Sequence, residues 1–485
     1  MNDTKYLFIE GNWQSGDGKS RTLINPYNEE RILEIKEATE EQASQAVLAA
    51  RRAFDETDWA INKEKRISLI HRLADLLEEN SEEFAVAETT NTGKPIRESR
   101  LDISDSAACL RYYADLVREE TGSEKKNPDD TISKVIEEPI GVCALIVPWN
   151  FPLLLGMWKI APALAAGNTV VFKPSELTAL SAIKFTKLIE QSGFPPGVFN
   201  LVLGEGLPVG ETLVKHPETD KISFTGGSKT GQAINQLCAG TFKRVSLELG
   251  GKSPLIIRED ADLDAAVEWG IFGAFFNQGE VCVASSRILI HQNIYDSFIE
   301  RLTKKLEIIK IGDPLQEETE MGPVISKDHL DKIEQYIDVG QQEGATLLTG
   351  GRRLAESGFY LSPAVFTNVN QSMRIVQEEI FGPVVTVQSF ESDEEAVKLA
   401  NGTKYGLAAG ILSADVRKAE EIASKLKAGT IWINSYHTPY VDAPWGGYKQ
   451  SGIGRELGPH GLAGFREVKH INTSGILQRA DWYNF

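Results

Sequence analysis

The chain has 485 residues, with 51 Lys and Arg against 69 Asp and Glu, a formal charge of −18 and a hydrophobic content of 41%. That length exceeds one ordinary core and implies two or three structural units, and the composition is that of a globular rather than a disordered protein. An acidic surface repels nucleic-acid phosphates and anionic lipid, so neither is expected as a partner.

Near the N-terminus, Thr39-Glu40-Glu41-Gln42 has the form of a helix capping box, and Ala43, Ala46, Val47 and Ala50 follow at helical spacing. Amphipathic helices are predicted over 63–79 and 99–118. The most apolar stretch, 140–158, is interrupted by Pro148, Asn150, Pro152 and Gly156. A lipid-exposed helix could not satisfy that broken backbone, so a membrane span is not expected. The first residues, MNDTKYLFIEGNW, lack the basic start and apolar core of a signal peptide.

From about residue 142 short β-branched runs alternate with helical stretches. Strands are predicted at 143–147, 169–173, 198–202 and 221–225, and helices at 158–166, 178–192, 207–215 and 230–239. This alternation indicates a parallel sheet covered on both faces, as in nucleotide-binding folds. After Gly250-Gly251 a second α/β unit is expected. Its helices are placed near 262–276, 292–308 and 327–344, and its strands at 286–291, 384–390, 408–413 and 430–434. Segments 121–140 and 470–485 fit neither unit; an intersubunit arm and an ordinary surface excursion are equal readings.

Several residues stand out against this frame. Gly226, Gly227 and Gly231 lie between a strand and a helix, where backbone N–H groups can approach a phosphate. Tight strand-to-helix turns would look the same. Lys173 and Glu176 stand at a strand's carboxyl end, suited to the hydroxyls of a ribose or simply part of a surface loop. Cys109, Cys143, Cys238 and Cys282 form no C-x-x-C and lie near no histidine at zinc spacing. A disulfide framework and a zinc site are therefore not expected, and a reducing cytoplasm is the expected location. Cys282 follows Gly279 and precedes small residues. A helix start there would favour its thiolate, although a buried structural cysteine is the commoner fate. Glu248, in the apolar strand of RVSLELGG, is costly unless paired or working, or else faces solvent. Asn150, between two prolines, is either a rigid oxyanion donor or a turn residue.

The segments PWNFP (148–152), KPSE (173–176), FTGGSKTG (224–231), LELGGKSP (247–254), FNQGEVCVASSR (276–287) and EEIFGP (378–383), in this order, resemble the NAD(P)-dependent aldehyde dehydrogenase superfamily. The resemblance runs on to PWGGYKQSGIGREL (444–457). It implies an α/β fold: a Rossmann-like cofactor domain (1–120 and 141–250), a catalytic domain (251–430), a β oligomerisation arm (121–140 and 470–485), and a return (431–469) lining the substrate funnel. It implies Cys282 as nucleophile, Asn150 as oxyanion donor, Glu248 as base toward water, and Glu456 in a proton relay. It implies NAD held by Trp149, Lys173, Ser175, Glu176, Gly226, Gly227, Ser228, Gly231, Leu249, Glu379 and Phe381. Many relatives carry serine where Gly227 stands. Glu176 favours NAD over NADP, with NADP use still open. The finer resemblance is to the betaine-aldehyde and aminoaldehyde branch, in which Phe151, Trp158, Phe276 and Trp445 would surround a cationic group. A plain apolar funnel for uncharged aldehydes is the alternative. The family implies a homo-oligomer, dimer or tetramer.

Overall fold

The computed structural model describes residues 5–120, 122–477, 479, 480 and 482. The expected first unit and arm thus extend, at 1–4, 121, 478, 481 and 483–485, outside the described residues.

An eight-stranded sheet holds the first unit together. Its centre is five parallel strands, in spatial order Arg244–Glu248, Lys221–Thr225, Val142–Ile146, Thr169–Lys173 and Phe199–Leu201. The middle three are wholly buried, so they read in sequence as continuous apolar runs. Gly452–Ile453 caps one edge and the hairpin Leu7–Ile9/Asn12–Gln14 the other, all antiparallel. These edge strands were not predicted: three residues or fewer carry no readable alternation.

The strand order reverses between Val142–Ile146 and Lys221–Thr225, which makes a crevice outside their carboxyl ends. The helix after Val142–Ile146 begins at Pro152, six residues before the predicted start. Pro152 takes a first-turn position, where its missing N–H costs nothing. The predicted helix 207–215 is broken, with Leu207 in an extended conformation and a short regular helix over Glu211–Lys215. The capping box forms: Gln42 N donates to Thr39 Oγ1 and Thr39 N to Gln42 Oε1.

The second sheet has seven strands, all parallel except the pair Thr346–Thr349/Ala364–Thr367. Gly250-Gly251, the Cys282 loop and Glu379–Phe381 each lead into one of its strands. The amino ends of this sheet therefore face the carboxyl ends of the first. A separate antiparallel sheet joins Ser123–Lys126, Ile132–Pro139 and Arg466–Thr473, with Arg466 opposite Pro139. It exposes Ile132, Val135, Val468 and Ile471.

Candidate active site

The crevice is a cleft of about 220 Å³ lined by Trp149, Asn150, Gly226, Leu249, Cys282 and Phe381, among others. Cys282 is one of four free cysteines, and the other three are buried. It sits in a turn between the helix Leu263–Phe275 and the strand Arg287–His291, and not at a helix start, one of the two placements its sequence allowed. Among the described residues no helix begins at Cys282, so no helix dipole favours its thiolate. Burial, then the carboxylates of Glu379 and Glu248, push the thiol up to about 12. The thiol therefore needs a proton acceptor to react.

The loop carrying Cys282 is tightly shaped. Asn277, Gln278 and Gly279 all take left-handed φ, and a Cβ on Gly279 would lie 2.4 Å from the Gly382 carbonyl oxygen. Gly251 is pressed as closely, 2.4 Å from the Cys282 carbonyl oxygen by the same measure. Asn150 Nδ2 donates to the Glu280 carbonyl at 2.8 Å.

Glu248 is buried at the end of its strand, and neither of its carboxylate oxygens has a hydrogen-bond partner among the described residues. Its carboxylate lies against Gly446 and Gly452. Burial and the nearby Glu456 raise its pKa well above the ordinary carboxylate value. Glu456 makes a buried ion pair with Lys159 and accepts from Ser223 Oγ at 3.4 Å. Lys159 escaped the sequence reading, although a lone cation in the apolar helix PLLLGMWKIAPALAA was the available signal.

Glu379 lines the cleft. Its Oε1 accepts from Gly251 N at 2.9 Å, and burial raises its pKa to about 7. Phe381 packs edge-on to Trp149, with centroids 5.2 Å apart. His329, not anticipated, also meets Trp149 at 5.2 Å. Burial holds its pKa down to about 4, so it is neutral.

The groups expected at a dinucleotide sit around the strand ends. Lys173 Nζ donates to the Pro174 carbonyl and lies 3.9 Å from Glu176 Oε2. Ser175 Oγ accepts from Leu177 N. Gly227 caps the helix Ser228–Ala239, whose amino end opens on the cleft. A Cβ on Gly227 would meet open space, so its missing side chain narrows nothing, while Gly231 lets that helix pack on Leu249. A diphosphate fits this unhindered helix end, and a ribose fits the lysine–carboxylate pair.

The four expected aromatics form two pairs. Phe151 stacks with Phe276 at 6.4 Å, and Trp158 meets Trp445 at 5.2 Å. Lys94 Nζ lies 3.7 Å from the Phe151 ring centroid. An internal ammonium already holds one face of that ring. Trp158 lines a second cavity, of about 410 Å³, with Tyr112, Tyr440, Asp105 and Asp442. No motif or spacing in the sequence marks those four.

A sequence profile of the Aldehyde dehydrogenase family matches residues 13–471, and the chain belongs to that family. A betaine aldehyde dehydrogenase of Bacillus subtilis (strain 168) is 47% identical over 485 residues, covering 99% of each chain. Peroxisomal aminoaldehyde dehydrogenase 1 of Pisum sativum is 42% identical, covering 99% of this chain and 98% of its own. The crystal structure of betaine aldehyde dehydrogenase from Staphylococcus aureus in complex with NAD+ matches with a TM-score of 0.97 at 46% identity, covering 100% of this chain and 97% of that one.

Lys94 is fully buried, with Asp102 Oδ2 at 2.5 Å and the buried Glu88, Glu98 and Glu280 around it. Lys94→Met should lower stability by about 3 kcal/mol, because Asp102 is left buried without a partner. Losing the cation raises the folded-state pKa of Asp102 further, so the folded variant binds more protons than its unfolded chain. The deficit should therefore grow with rising pH. Urea unfolding at pH 5 and pH 8 checks this, with the larger loss expected at pH 8.

Proposed function

We propose that this chain oxidises a cationic aldehyde, betaine aldehyde or an aminoaldehyde, to its carboxylic acid with NAD+. The observation that carries the reaction is Cys282 in the same cleft as the Gly226-Gly227 helix end and Glu379. The Cys282 sulfur attacks the aldehyde carbon while its proton passes to Glu248, the unpartnered base whose raised pKa suits it to accept one. The carbon becomes tetrahedral, and Asn150 Nδ2 with the Cys282 backbone N–H stabilises the oxygen. One such donor is typically worth about 3 kcal/mol. NAD+ bound in the cleft supplies the hydride acceptor. The thioester left on Cys282 is hydrolysed by water that Glu248 activates. Glu456 and Lys159 carry the proton away from Glu248.

Residues 1–120 and 141–250 form the cofactor unit in this reading, and 251–430 the catalytic unit. Lys173, Ser175 and Glu176 hold the adenosine ribose, Gly226 to Gly231 the diphosphate, and Glu379 the nicotinamide ribose beside Phe381 and Trp149, with Leu249 on the cleft wall. The exposed apolar side chains of the three-stranded sheet support an arm that joins subunits, with residues 431–469 on the funnel side.

The cationic substrate rests on the Trp158 cavity. Asp105 and Asp442 supply negative charge there, and Trp158, Tyr112 and Tyr440 supply ring faces. Phe276 and Trp445 complete the path inward.

Cys282→Ala should leave NAD+ affinity unchanged and abolish NADH production, as read by calorimetry and by absorbance at substrate saturation. Asp105→Asn should raise KM for betaine aldehyde about tenfold and leave KM for hexanal unchanged, the equivalent of ~1.4 kcal/mol. Desolvation at the cavity wall and Asp102 hold the pKa of Asp105, whose side chain is exposed, up at about 6. Its charge is present above that value and lost below it, so KM for betaine aldehyde alone should climb as pH falls through 6. Glu176 should repel a 2′-phosphate, giving a higher kcat/KM with NAD+ than with NADP+ in steady-state assays.

A further inference from the structure

Asn277 is a buried residue held at φ 46° and ψ 47°. A side chain with a Cβ persists there only when its surroundings determine it, and such outliers gather at working sites. Four hydrogen bonds do so. Asn277 N donates to Glu98 Oε2 at 3.0 Å, and Gln278 Nε2 donates to Asn277 Oδ1 at 3.4 Å. The Asn277 Nδ2 group then reaches two carbonyls, Glu280 at 3.2 Å and Asn150 at 3.3 Å.

The Glu280 carbonyl is also the acceptor for Asn150 Nδ2, at 2.8 Å, and Asn150 Oδ1 has no partner among the described residues. The Asn150 amide is thus oriented through one bond to one oxygen. That bond uses one of its two N–H groups and leaves the other for the cleft. Asn277 holds the oxygen that this bond depends on, and it holds the Asn150 main chain as well. Glu98 in turn fixes Asn277 from the helix Ile96–Glu119, and Asn277, Glu98, Glu280 and Asn150 are all buried.

We infer that Asn277 is a positioning residue, which aims the free N–H of Asn150 at the oxygen of the tetrahedral intermediate. The inference rests on the oxyanion role proposed above for Asn150. A donor that stabilises developing charge must be placed to within a fraction of an ångström, and a small misplacement costs rate rather than binding.

Asn277→Gly is the informative variant. Glycine adopts the left-handed conformation freely and keeps the backbone N–H to Glu98, so folding is preserved while the amide is lost. The readout is the single-turnover rate of NADH formation with saturating NAD+ and betaine aldehyde. It should fall about ten- to hundredfold, as expected for a misaimed donor. The half-saturating aldehyde concentration should stay within about threefold, because ground-state binding is spared. Asn277→Asp, which keeps the shape and Oδ1 but removes both donors, should be equally slow. In an Asn150→Ala background Asn277→Gly should cost no further rate, since a residue acting only through Asn150 has nothing left to aim. A normal rate in Asn277→Gly, or losses that multiply in the double variant while Asn150→Ala alone is slow, would overturn the inference by itself. A normal rate in Asn150→Ala would overturn the oxyanion role and the inference together.

Discussion

Desolvation of acidic groups in one cleft is the constraint on which the rest of this structure depends. Cys282, Glu248 and Glu379 are each held above their ordinary pKa by burial, and the two carboxylates push the thiol up further. None of the three can be charged without cost. A proton leaving the sulfur must therefore go to a specific acceptor. The same penalty keeps Glu248 basic enough to take it, and later to take one from water.

The fold creates this environment by setting two sheets end to end. The carboxyl ends of the first sheet bring Asn150 and Gly226 to the cleft, with Glu248 buried at the end of its own strand, and the segments entering the second bring Cys282 and Glu379. Neither sheet alone closes the cleft. The segments entering the second sheet pack closely enough on one another to exclude side chains at Gly251 and Gly279. The compensating cations sit one layer back. Lys159 pairs with Glu456, and Lys94 pairs with Asp102 beneath Phe151. They balance buried charge without placing a cation beside the sulfur.

Much of this was legible in the sequence, and for identifiable reasons. Short runs such as CALIV and TVVFK, too brief for a helix and rich in β-branched residues, read as strands buried on both faces. The ordered motifs around Asn150, Glu248, Cys282 and Glu379 are local, so they survive in a linear reading. The losses were of other kinds. The two- and three-residue edge strands are defined by partners far away, as Phe8 is by Leu201. The ion pairs Lys94–Asp102 and Lys159–Glu456 join helices and loops whose proximity no spacing reveals. The placement of Cys282 in a turn rather than at a helix start reverses the argument about its thiolate. No spacing in the sequence reveals that Lys94 lies over the Phe151 ring.

The central claim is covalent, and rapid quenching of the enzyme during turnover with betaine aldehyde and NAD+ tests it most directly. Peptide mass spectrometry should find the acyl group of the product on the peptide containing Cys282. NADH production with no adduct on that residue, or with the acyl group on Cys109, Cys143 or Cys238, would contradict the account.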